Sequence, residues 1–176
     1  MALSKIDAAN FLTGTIPSGN VANASLNAVT ALPGAIPTGE VLQVISTTKS
    51  DVTSSTSTSY ADITGMAVSI TPSSTSSKIY VMYSINVSNA DTDRNDNVRL
   101  MRDSTALMDP AHYFRQQNNS VMPNLSNNFL DSPSSTSALS YHLEWKAESG
   151  TVYLNRRGGD STVRGASTIT VMEIGA

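Results

Sequence analysis

The chain has 176 residues and a formal net charge of −3, and only 14% of it is charged, against about 25% in an average soluble domain. No basic run offers a footprint for nucleic acid, no apolar run approaches the ~18 residues of a membrane span, and the absence of cysteine excludes disulfides and thiolate metal sites. Ser and Thr make up roughly a quarter of the sequence, so solubility rests on hydroxyls more than on charge.

Residues 1–40 differ in texture from the rest. They are rich in Ala, Asn, Gly, Pro and Thr, and the opening MALSKIDAANFL lacks the long apolar stretch of a signal peptide. An internal repeat, G-x-I-P-[ST]-G-x-V, runs from Gly14 to Val21 and again from Gly34 to Val41. Proline fixes φ and the glycine beyond it permits a tight turn, so each unit reads as extended, turn, extended. Between the units, Leu26, Val29 and Leu32 stand at helical spacing behind a capping Ser25, which predicts one short helix. The isolated large apolar residues Leu3, Ile6, Phe11, Leu12 and Ile16 mark the region as an arm that docks on another protein.

From residue 41 to 176 the pattern is all-β. Val41–Thr48 reads as a first strand, and Lys49–Ser59 as a Ser/Thr-rich loop or edge hairpin. Tyr60–Thr71 alternates through Ile63, Met66, Val68 and Ile70, with a bulge expected at Gly65. Lys78–Ser88 is the longest apolar strand signal. Ile79, Val81, Tyr83, Ile85 and Val87 share one face; Tyr80, Met82, Ser84, Asn86 and Ser88 share the other. The first face is wholly apolar and belongs to a core. The second is apolar at its start and polar at its end, which implies cover at one end only, by another subunit.

After a polar loop at 89–97, Val98–Arg102 is a strand, and the stretch 106–130, with Pro110 and Pro123, reads as irregular. Leu139–Ala147 alternates cleanly, with Leu139, Tyr141, Leu143, Trp145 and Ala147 inward and His142, Glu144 and Lys146 outward. Strands follow at 151–155 and 167–174. Eight to ten short strands with regular turn signals predict an antiparallel jelly-roll β-sandwich preceded by the arm.

Several pieces carry a resemblance: Val41–Thr48, Ile70–Lys78, Arg99–Thr105, Phe129–Pro133, Thr151–Arg156 and above all Arg164–Ile174. Together they resemble a domain frequent in virion proteins of marine and cyanobacterial bacteriophages, in tail fibres, spikes and head decorations. The resemblance implies a homotrimeric jelly roll similar to the C1q and tumour-necrosis-factor heads, on the exterior of the phage particle, with no catalytic motif and no cofactor. Its implied partners are further copies of itself, other virion proteins of the tail or capsid, and a host-surface glycan.

The residue chemistry adds few candidates. His112 and His142 are the only histidines and form no recognisable metal or hydrolase pattern. Asp91, Asp93 and Asn95 imitate the start of a calcium loop, but position six is Asp96 instead of Gly and position twelve is Arg102 instead of Glu, so no metal is expected. Tyr113, Phe114 and Gln116, read as exposed, together with the Arg156-Arg157-Gly-Gly-Asp160 loop, are the candidate ligand contacts. The roles that compete are a short adhesive fibre or spike and a capsid decoration protein. A polysaccharide-degrading tailspike fits less well, for want of a carboxylate pair on a repetitive scaffold.

Overall fold

The computed structural model describes residues 39–175, and every regular element among them is a strand. In chain order these are β1 (Val41–Lys49), β2 (Thr53–Ser55), β3 (Ala61–Ile70), β4 (Lys78–Asn89), β5 (Asp96–Arg102), β6 (Thr105–Phe114), β7 (Asn124–Asp131), β8 (Leu139–Lys146), β9 (Val152–Leu154) and β10 (Ser167–Ile174). The arm with its five apolar residues, and the helix expected at 25–32, lie outside the described residues. The second glycine of the second repeat, Gly39, is described, and its φ of +103° is the conformation the turn reading requires.

All strand pairing is antiparallel. One sheet runs β1-β10-β4-β7, and the other runs β3-β8-β5-β6. The short β9 and β2 continue the first sheet beyond β10, along the same edge of β4. There the Asn86 amide donates to the Ser167 hydroxyl, and the Asn86 carbonyl accepts from the Asn155 amide. Setting those two short strands aside, the remaining eight pair first with last (β1·β10), second with seventh (β3·β8), third with sixth (β4·β7) and fourth with fifth (β5·β6). This nested pairing wound over two sheets is a jelly roll.

The core is what the alternation requires. Ile79, Val81, Tyr83, Ile85 and Val87 of β4 face Leu139, Tyr141, Leu143 and Trp145 of β8, all 7% exposed or less. The bulge appears in β3, where the register slips between Asp62 and Ala67 and Gly65 takes φ +82°.

The stretch expected to be irregular, 106–130, instead holds β6 and β7. β6 is an edge strand, where Pro110 removes no ladder hydrogen bond that the sheet needs. β7 is the opposite sheet's edge, and its outward positions are Asn124, Ser126 and Asn128, which hide the alternation with Leu125 and Phe129. His112, expected in a loop, lies in β6. Asp96, expected in the polar loop, opens β5 and is buried, accepting from the Asn89 side-chain amide at 2.8 Å and the Glu148 backbone amide at 3.0 Å.

Buried polar groups tie the layers together. Asp131 of β7 accepts from Arg102 Nη1 at 2.6 Å and from the Tyr141 hydroxyl at 2.7 Å, joining one sheet to the other. Burial, with Asp131 beside it, pushes the Tyr141 phenol far above its usual value and keeps it a donor. Glu173 of β10 is fully buried. Its carboxylate takes the Ser73 amide at 2.7 Å, the Ser73 hydroxyl at 2.6 Å and the Gln43 side-chain amide at 2.5 Å, pinning the β3–β4 turn to the sheet.

Two outcomes follow. Trp145→Ala removes a side chain that is 1% exposed, and it is expected to cost ~3–5 kcal/mol in chemical denaturation; a loss within error of zero would contradict the register. Burial pushes Glu173 up, but the hydrogen bonds from Gln43 and Ser73 outweigh it and hold its pKa at about 2, against 4.5 unperturbed. A lowered folded-state value stabilises above the unfolded value, and that stability is lost as pH falls from 4.5 towards 2. Thermal unfolding followed across that interval should show the loss in the native chain, and a shallower loss in Glu173→Gln.

Candidate interaction surface

The outward positions of the first sheet form one continuous face without charge, apart from Lys78 at its margin. The register lines its side chains into rows across the four strands. One row reads Val44, Met172, Tyr80, Leu130. The next reads Ser46, Thr170, Met82, Asn128, and the one beyond it Thr48, Thr168, Ser84, Ser126. The face therefore grades from apolar to hydroxyl and amide along the strands. Val44 is 55% exposed and Leu130 51%, and Val41 and Leu42 extend the apolar end at 49% and 46%. A shallow hollow of about 380 Å³ lies where the two halves meet, lined by Tyr80, Met82, Ser84, Ser126 and Thr170 among others.

The apolar end is where residues 1–40 join the sandwich. The Gly39 amide donates to the Gly175 carbonyl at 2.8 Å, and the Gly175 amide to the Glu40 carbonyl at 2.8 Å. The apolar-to-polar grading read on the second face of β4 is thus shared by all four strands. Val44, Met172 and Leu130 are the partners that sequence reasoning did not single out, because single apolar residues in otherwise polar strands show their meaning only once the register aligns them.

The loop residues named from sequence gather at the other end of the sandwich. The Asp93 amide donates to the Gln116 carbonyl, the Gly159 amide to the Asn119 carbonyl, and the Ser88 hydroxyl to the Arg156 carbonyl. Gly158 is required there, since a Cβ would stand 1.9 Å from the Asn89 carbonyl oxygen. Tyr113 is 60% exposed. Phe114 and Gln116 are not exposed as expected: Phe114 enters the core at the end of β6, and the Gln116 side-chain amide is buried on the Asn89 carbonyl. Arg157 is engaged in a two-pronged ion pair with Asp160, whose carboxylate also accepts from Thr162. Arg157 first, then Thr162, holds the Asp160 carboxyl well below the usual range. Arg156 lies over the Tyr153 ring at 4.1 Å. The side chains of Asp91, Asp93 and Asn95 turn to separate partners: Arg94 at 3.8 Å, Arg115 at 3.3 Å and, donating through its amide nitrogen, Glu148 at 3.4 Å.

No protein-family model matches the sequence, and no curated protein matches it. Among solved structures, the chain is similar in coarse fold to the VP2 subviral particle of infectious bursal disease virus, with 12% identity over 76% of this chain and 38% of that one at a TM-score of 0.41. The Gx strain of the same virus gives 11% identity, 77% and 42% coverage and a TM-score of 0.42. Dimeric latent PorU of Porphyromonas gingivalis gives 8% identity, 80% and 14% coverage and a TM-score of 0.38. The chain spans less than half the length of each of these proteins.

Proposed function

We propose that the chain is a non-enzymatic virion structural protein, a homotrimeric short fibre or spike of a bacteriophage. Residues 1–40 dock it on the particle, and the jelly roll is displayed outward to adhere to a host-surface glycan. The virion assignment rests on the motif resemblance described above. The observation that carries the architecture is the graded outer face of the first sheet. It is a wide, uncharged surface whose apolar half lies at the end where residues 1–40 join, while the tip loops lie at the opposite end. Single exposed apolar residues are ordinary on a monomer; a row of four in register is a contact surface. Closed rotational symmetry covers such a patch on every copy at once.

Capsid decoration is the second reading, and the tip loops favour it. The guanidinium groups of Arg156 and Arg157 are already engaged within the loop, which leaves Tyr113 as the large exposed aromatic among the candidate ligand contacts. A decorating protein needs no adhesive tip. Finding the protein by immunogold labelling on the tail supports the fibre, and finding it on the capsid supports decoration.

Two outcomes test the core of the proposal. At micromolar concentration the full chain should sediment as a trimer of its 18.6 kDa mass, and the double variant Val44→Asp, Leu130→Asp as a monomer. A monomeric native chain would overturn the trimer. Deleting residues 1–40 should leave the sedimentation coefficient per mass and the melting temperature close to native while abolishing incorporation into particles. Normal incorporation of the truncated chain would place docking on the sandwich.

A further inference from the structure

The outer face of the second sheet is chemically unlike that of the first. Here β8 alternates His142, Glu144 and Lys146 outward, and β3 brings Asp62 directly opposite Glu144 in register. His142 Nε2 stands 3.4 Å from Asp62 Oδ1 and 3.8 Å from Glu144 Oε1. All three ligand atoms lie within 4.8 Å of one another, the one such convergence among the described residues. We propose that Asp62, His142 and Glu144 form a surface site for a divalent transition ion of the zinc type.

The spacing fits that ion. Bonds of about 2.0–2.2 Å to imidazole nitrogen and carboxylate oxygen place tetrahedral ligand atoms roughly 3.4 Å apart. Two of the separations are within a few tenths of an ångström of that already, and small side-chain rotations close the rest. One nitrogen and two carboxylates suit zinc, whereas calcium takes six to eight oxygens.

The surroundings hold the donors in place. Glu144 Oε2 is occupied by the Arg99 guanidinium at 2.5 Å, which leaves Oε1 turned towards His142. Arg99 is fixed in turn by Asp109 at 3.1 Å and by the Tyr60 ring, 4.0 Å below its guanidinium carbon. This is the kind of outer partner that orients a metal-binding carboxylate. Asp62 is held differently. The bulge that follows it drives Ile63 and Met66 into the core, so the bowed segment is pinned on both sides. That bulge also opens a hollow of about 330 Å³ beside the donors, lined by Asp62, Thr64, Gly65, Ser140 and His142, with room for a fourth ligand from water or from a partner.

The charges frame the affinity. Asp62 and Glu144 are like charges directly opposed across a strand pair, an arrangement that disfavours pairing unless a cation lies between them. Arg99 answers Glu144 and Asp109; Lys146 lies over Tyr60; Lys49, behind Gly65, is taken by Asp51. Asp62, 73% exposed, has His142 as its partner. The Arg99 and Lys146 charges weaken binding, so micromolar dissociation constants are expected in place of the far tighter ones of structural zinc sites.

The test uses the full chain without a histidine tag, stripped with chelator, and zinc chloride as the probe. Calorimetric titration should give one ion per chain, and zinc should raise the melting temperature. Asp62→Asn and His142→Gln should each weaken binding at least ~10-fold, since even outer-shell partners of a metal ligand are worth about 10–100-fold. In chelator Asp62→Asn should melt at or slightly above the temperature of the native chain, since it relieves the opposed charges, and His112→Gln should bind zinc as the native chain does. Asp62 is exposed enough that its variant folds regardless, so it decides the matter if His142→Gln does not fold. Absence of saturable binding up to about millimolar zinc, or native affinity in Asp62→Asn, would overturn the site.

Discussion

The arrangement depends on the register of β4. It is hydrogen-bonded on one edge by β10 and then β9, and on the other by β7, while its inner face meets β8 of the opposite sheet. Its period of two leaves no freedom. A slip by one residue would turn Tyr80, Met82, Ser84 and Asn86 into the core and push five buried apolar side chains into water. Because β10 and β7 take their register from β4, and β1 takes its own from β10, that single alternation also decides which side chains form the outer rows. The apolar patch is in this sense a consequence of core packing. Once Ile79 to Val87 are buried, Tyr80 must stand beside Met172 and Leu130.

The connections between strands are stabilised by a different means. A chain this rich in Ser, Thr and Asn has many polar groups to place, and several of the buried ones bond turn backbone and one another. Asn155 donates to the carbonyls of Lys49 and Asp51 and accepts from Ser167; Asn89 holds Asp96 and the Ser149 carbonyl; Glu173 holds Ser73. Each stands within a residue of a strand end and bonds a turn or loop that has no helix or ladder to do so. At the tip, such bonds tie the loops together without disulfides, and Gln116 turns inward to the Asn89 carbonyl. At that end the polar groups serve the fold before they serve a ligand.

What the sequence made legible, and what it hid, follows from the range of the information. Strands with one wholly apolar face, such as 78–88 and 139–147, are readable because burial writes itself into every second residue. The Gly65 bulge was legible from a glycine interrupting such a pattern. β6 and β7 were not. Both are edge strands, partly solvated on two sides, so Pro110 and the amide-rich outward positions of β7 were tolerable there and broke the alternation that local reading needs. The candidate sites were hidden for another reason. His142 and Glu144 are neighbours on β8, but Asp62 comes from 80 residues earlier, and the Val44–Met172–Tyr80–Leu130 row draws on four separate strands. Only topology assembles them.

The two outer faces divide the chemistry of the molecule. Along the first sheet the outward positions are hydroxyl, amide or apolar, apart from Lys78 at the margin. Along the second they carry Asp62, Arg99, His142, Glu144 and Lys146, with Asp109 beside them. In a protein with so few charges, concentrating them on one face leaves the other with little desolvation to overcome. Burying the first face on association would remove apolar side chains from water and strand no charge. Burying the second would separate Arg99, Glu144 and Asp109 from solvent in a cluster whose pairs are already made, at a cost of several kcal/mol per ion even after relaxation. Of the two faces, the first is the one that association would cover at the lower cost, and the second is the one whose charges are better left in solvent.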